Sequence, residues 1–118
     1  MAKDDMEIVM YKILRYLYEC MKNGREPDLT EYGWESKIFS IPKEYWICVI
    51  VEAVEKGYVK GFLVIKSKGI TQVELKEKPV LTMEGRQFLL ENSLMKKIKD
   101  DIKESFSIVL SGIFGIIG

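Results

Sequence analysis

Histidine is absent from this sequence of 118 residues. Its absence removes the side chain that most often serves as general base, metal ligand and triad partner. Cysteine is scarce: Cys20 and Cys48 lie far apart and, without histidine, cannot complete a standard zinc site. Both sit in apolar segments, Tyr18–Met21 and Trp46–Val51, which predicts two reduced, buried thiols in a cytoplasmic protein. Met1–Met6 carries Lys3, Asp4 and Asp5 with no apolar core of the signal-peptide type behind it, so no secretion is expected. Net charge is lacking as well, because 18 basic and 18 acidic residues cancel. No global pull toward nucleic acid results, and any such binding requires a local patch. The acidic pairs Asp4-Asp5 and Asp100-Asp101 are sequence neighbours, about 100° apart on a helix, and read as solvated surface among lysines. The expectation is a protein with no enzymatic activity, no cofactor and no metal site.

What is present is a globular balance of 47% hydrophobic and 31% charged residues, enough for one core and too short for two. Met6, Val9, Met10, Ile13, Leu17, Cys20 and Met21 recur at helical spacing and give a first helix that Asn23-Gly24 stops. Its other side carries a second stripe at the same period, Ile8, Tyr11, Arg15, Tyr18 and Lys22. A helix apolar on two sides is expected to lie between two layers. Residues 25–41 are punctuated by Pro27 and Gly33 and predict one short helix over Glu35–Phe39. Trp34 and Trp46 read as core aromatics, with stacking on a base or ligand as the alternative.

A further helix is predicted from about Pro42 to Lys56, with Pro42 suited to its first turn and Gly57 to its stop. Ile47, Ile50, Val51 and Val54 are taken as its inward face, which leaves Tyr45, Val49, Glu52 and Lys56 as an outward ridge. The period then changes. Tyr58–Lys66 and Gln72–Lys76 flank Ser67-Lys68-Gly69 and read as a β-hairpin ended by Pro79. Thr82 reads as the N-cap of a long helix whose apolar stripe, Phe88, Leu89, Leu94, Ile98 and Ile102, runs past residue 100.

Helix, short helix, helix, hairpin and helix, in that order, predict an α+β fold: a winged helix-turn-helix with a hairpin wing and an extended C-terminal helix. The domain reading is a winged-helix unit over 1–92 and a C-terminal helical extension with an apolar tail over 93–118. Two stretches carry a family resemblance. Glu55-Lys56-Gly57-Tyr58-Val59-Lys60-Gly61 is a helix exit into a strand, and Leu81-Thr82-Met83-Glu84-Gly85-Arg86-Gln87-Phe88-Leu89-Leu90-Glu91-Asn92 is a strand exit into a capped helix. In this order they resemble the YjcQ family of small winged-helix proteins from Gram-positive bacteria and their phages, over about residues 6–104. The resemblance implies the fold, and it supplies no catalytic motif and no established biochemical role. Phe106–Gly118 departs from the family in being unusually apolar.

Two functions compete. The first is a DNA-binding transcriptional regulator or phage accessory protein acting on double-stranded DNA. Its helix contacts would be Lys43, Tyr45, Val49 and Lys56, and its wing contacts Lys60, Lys66 and Lys68. Residues 58–78 hold five lysines against two glutamates, a local charge of +3. On the helix, however, Glu44, Glu52 and Glu55 oppose phosphate approach, and phosphate contacts normally supply most of the affinity. The second is a protein-interaction module that keeps the fold without binding DNA. Ser105–Gly118 carries no charge, and Ile98, Ile102, Val109 and Ile113 continue a helical stripe. Their expected partner is Ile8, Tyr11 and Tyr18 of the first helix, in the same or a neighbouring subunit, which makes a homodimer the expected assembly. A peripheral membrane contact of this tail is the further alternative, because a span would need ~20 apolar residues.

Overall fold

A helix with apolar side chains on two sides is stable only when both are covered, and that requirement organises this molecule. The computed structural model describes residues 5–115. Helix α1 (Met6–Asn23) lies at the centre, and α3 (Lys43–Glu55), α4 (Met83–Glu91), α5 (Ser93–Phe114) and strand β2 (Ile70–Leu81) all pack on it. Val9, Ile13, Leu14, Tyr16 and Leu17 are fully buried, and so are Ile8 and Tyr11 of the second stripe. Fully burying side chains of this size favours folding by about 1.5–3 kcal/mol each. Gly24 ends α1 in the left-handed conformation, at φ 61°.

After α1 the chain forms a short helix, α2 (Leu29–Tyr32), in place of the helix expected over Glu35–Phe39. Residues 33–41 instead make a loop closed by a single bridge between Glu35 and Ser40. Asp28 caps α2 by accepting the Thr30 N–H at 2.9 Å. Local side-chain to backbone bonding thus settled the helix six to seven residues early. Glu31 stands three residues after this cap, where a capping box would turn it back to the Asp28 N–H. Here the Tyr16 hydroxyl comes between: it accepts the Asp28 N–H at 3.0 Å and donates to Glu31 Oε1 at 2.7 Å. The second Glu31 oxygen accepts from Arg25 Nη2 at 2.5 Å.

β1 (Val59–Ser67) and β2 form an antiparallel hairpin, the one sheet among the described residues. Ser67 pairs with Ile70 across Lys68-Gly69, whose φ angles of 49° and 79° suit the right-handed twist of a two-residue turn. The register breaks between Lys60 and Phe62: Lys60 opposes Val80, whereas Phe62 opposes Leu75, so β2 bulges over Lys76–Pro79. Gly61 makes this possible. At φ 104° it faces the Lys78 carbonyl so closely that a Cβ would lie 2.6 Å from that oxygen.

Thr82 caps α4 as expected, accepting the Gly85 N–H at 3.0 Å. The long helix predicted to follow is interrupted at Asn92, which leaves the helical region (ψ 133°) and caps α5 by accepting the N–H groups of Leu94 and Met95. From that start α5 runs back along α1. Tyr11 meets the Phe106 ring edge-on at 6.0 Å, and Tyr16 meets Phe114 at 5.7 Å. Arg25 Nη1 donates to the Ile113 carbonyl and ties the far end of α5 to the α1–α2 loop. The architecture is mixed α+β, with five helices around one core and one projecting hairpin among the described residues. No described helix is long and apolar enough to cross a membrane.

Candidate functional site

α3 and the hairpin present the surface on which the sequence placed a DNA contact. α3 is apolar almost all round, so its inward side is set by neighbours rather than by its own pattern. Trp46, Val49, Ile50 and Ala53 face the core. Trp46 is the anchor: its Nε1–H donates to the Tyr32 carbonyl at 3.0 Å, and its rings meet Trp34 at 5.3 Å and Phe62 at 6.5 Å. Both tryptophans therefore serve the core. Val49, expected on the outward ridge, is 0% exposed and unavailable to any groove. The outward side consists instead of Glu44, Cys48, Val51 and Glu55, a spacing of four and three residues that brings them onto one face. Cys48 is exposed, contrary to the expectation of two buried thiols. Cys20 is buried, and burial pushes its thiol pKa up.

The expected basic contacts are mostly engaged. Lys43 Nζ lies 5.0 Å from the Trp34 ring centre. Lys56 pairs with Glu52 at 3.6 Å, and Lys66 crosses from the hairpin to Glu55 of α3 at 3.1 Å. Tyr45 is half-buried and packs against the core. Lys60 and Lys68 are exposed and make no ion pair among the described residues. The hairpin's positive charge thus survives at its two ends, while the shaft beside α3 is neutralised. The outward face of α3 itself is acidic.

The shaft is also apolar. Residues 63 and 65 lie on one side of β1 and residues 62 and 64 on the other. Leu63 is 42% exposed, Ile70 62% and Leu75 52%. The sequence placed Leu63 and Leu75 in strands and left Ile70 between the turn and the second strand. A two-stranded sheet has only one helix layer to lean on, and Phe62 uses it.

The α1 and α5 stripes, expected to meet in the same or a neighbouring subunit, meet within this chain. Ile8, Tyr11, Ile98 and Ile113 are all buried within this one chain, because α5 covers the second stripe of its own α1. That removes them from any surface a second copy could reach. Tyr18 is half-buried beneath two cations, with Arg15 at 5.7 Å and Lys22 at 4.8 Å from its ring. Ile102 and Val109 are half-buried against the core. Of the apolar tail, residues 116–118 lie outside the described residues.

A cleft of about 340 Å³ opens where α1, α3, α4 and the start of α5 converge. Met6, Met10, Leu94 and Met95 line it, together with Tyr58 and Phe88, whose rings stack at 4.3 Å. Gly85 holds this junction together, because it packs directly on the Tyr58 carbonyl where a Cβ has no room.

With this geometry in place, comparison with known families has a structural meaning. The family model described as YjcQ protein matches residues 11–105, from the first turns of α1 into α5. The chain belongs to the YjcQ family. No curated protein and no solved structure matches it. The YjcQ match takes in the whole of α3, the hairpin and the Tyr58–Phe88 junction. It also takes in the first part of α5, as far as residue 105, whereas Phe106, Ile113 and Phe114, which meet α1 and its following loop, lie beyond it.

Proposed function

We propose that this chain is a protein-interaction module built on a winged-helix arrangement, and not an enzyme. The order α1, α2, α3, hairpin supports the arrangement: α2 and α3 correspond to a helix-turn-helix, α3 to its recognition helix and the hairpin to the wing. One observation carries the interaction reading. The face of α3 that would enter a DNA groove presents Glu44, Cys48, Val51 and Glu55, and the nearby cations Lys43, Lys56 and Lys66 are each engaged by an aromatic ring or a carboxylate. A phosphate backbone would meet carboxylates there. The exposed apolar shaft of the hairpin is, by contrast, the kind of surface that partners cover.

The test is a fluorescence-anisotropy titration of a labelled mixed-sequence duplex at low and moderate salt. No binding at low salt is the expected result, since even non-specific affinity shows under those conditions. A steep loss of binding with salt would replace this reading with the second one, a DNA-binding regulator acting through its wing. The +3 charge over residues 58–78 favours that second reading. It requires Lys60→Glu with Lys68→Glu to abolish duplex binding while the fold persists.

A further inference from the structure

Among the described residues the hairpin is a sheet of two strands, so each strand has an edge that pairs with no other described strand. The two edges differ in chemistry. Along β2 stand Glu74, Lys76, Glu77 and Pro79, and the bulge opposite Gly61 bends the strand away. Charges, a proline and a bulge are the devices that keep a foreign strand from adding. The base of β2 is further occupied by α1, where Leu17, Cys20 and Met21 line a cleft with Pro79 and Val80. β1 has no proline, and its charges, Lys60 and Lys66, stand only on either side of its middle run. From Phe62 to Ile65 it carries no charge, and its register with β2 is unbroken from Phe62 to Ser67. Backbone N–H and C=O groups on that edge have no sheet partner among the described residues, and Leu63, Val64 and Ile65 beside them are exposed or half-buried.

The charge around this edge has one sign. Lys60, Lys66 and Lys68 are the charged residues from 59 to 69, with no acidic residue among them. Lys66 is neutralised by Glu55, which leaves Lys60 and Lys68 at the two ends of the uncharged run. We propose that β1 is a docking edge for an extended acidic segment of a partner protein, which adds as a third strand. Main-chain hydrogen bonds would supply affinity. Alternate apolar side chains would lie beside Leu63 and Ile65, and flanking carboxylates would meet Lys60 and Lys68. This rests on the protein-interaction reading and names the mode and the chemistry of the partner. Charge decides against a second copy as the occupant, because a second β1 would bring its own Lys60 and Lys68 toward the same two lysines.

The experiment uses the full chain and a fluorescein-labelled peptide of about ten residues, alternating valine with glutamate, a length that matches one strand. Two control peptides replace glutamate by lysine or interrupt the run with proline. The acidic peptide should bind with a Kd at least about tenfold lower than either control. Lys60→Glu with Lys68→Glu should weaken it about tenfold or more while circular dichroism stays unchanged. Amide exchange should slow at residues 62–66 on peptide addition and remain as before on α3. Equal affinity for the three peptides, or no binding at all, would overturn the proposal, as would protection centred on α3. A dimer that protects residues 62–66 without peptide would give the edge to a second copy and overturn it too. Salt-sensitive duplex binding would instead sink the broader protein-interaction reading, so the two failures are distinguishable.

Discussion

α1 and β1 are comparable in apolar content and opposite in fate. α1 meets α3, α4, α5 and β2, and ten of its 18 residues are buried. β1 leans on the core through Val59 and Phe62, and beyond these each of its residues is exposed or half-buried. A helix can be surrounded by neighbours from the same chain, whereas a two-stranded ribbon always keeps one edge per strand and most of one face. Apolar composition therefore reports the need for a partner but not whether this chain supplies it. α1 is satisfied internally. β1 is only partly satisfied, and that difference locates the candidate interaction surface.

Four measurements would break or sharpen the contrast. The largest effect is expected in the layer that covers α1: Ile98→Ala empties a fully buried position and should cost about 2–5 kcal/mol in denaturant unfolding. A loss below about 1 kcal/mol would mean that α5 is not integral to the core.

Alkaline titration is the second. Burial raises the pKa of Tyr11, Tyr16 and Tyr32 alike, and the Tyr32 hydroxyl has no hydrogen-bond partner among the described residues. Unfolded tyrosines ionise near pH ~10, so the folded chain holds more protons above that value. Stability should be at full strength below it and fall as pH rises through the higher folded pKa values. Tyrosinate absorbance that develops before unfolding would show these rings to be reachable.

Third, Asn92→Ala removes an acceptor shared by two N–H groups at the start of α5 and should cost about 1 kcal/mol. A thermal melt reads it. An unchanged Tm would show that α4 and α5 behave as one continuous helix. The smallest effect is expected in the hairpin: Leu63→Ser should stay within about 0.5 kcal/mol of the parent in the same melt. A large loss there would mean that the shaft is a structural element and not a docking surface.

Much of this was readable from the residues. The two stripes of α1 were visible, with the correct implication of two covering layers, and so were the Thr82 cap and the hairpin around Lys68-Gly69. α3 was placed correctly and turned wrongly. Trp46, Ile47, Val49, Ile50, Val51, Ala53 and Val54 spread apolar groups around most of its circumference, so its inward side is chosen by Tyr32 and Phe62, which no window on α3 contains. The short helix was misplaced and the break at Asn92 missed for the opposite reason. Their signals were present and local: Asp28 with Glu31 three residues on, and an asparagine directly ahead of a new apolar stripe. Engagement of the lysines by Trp34, Glu52 and Glu55 was the least legible. One pair, Lys56 with Glu52, is local at a spacing of four, and the other two are brought together only by the fold.

The Arg25 tie to Ile113 joins residues 88 positions apart. Its consequence belongs to biosynthesis. Of the described elements α1 leaves the ribosome first, and α5, which covers one of its two apolar sides, leaves last. Nearly the whole of the intervening chain is translated while Ile8 and Tyr11 have no cover, so a nascent α1 is a natural client for whatever shields apolar surface at the exit tunnel.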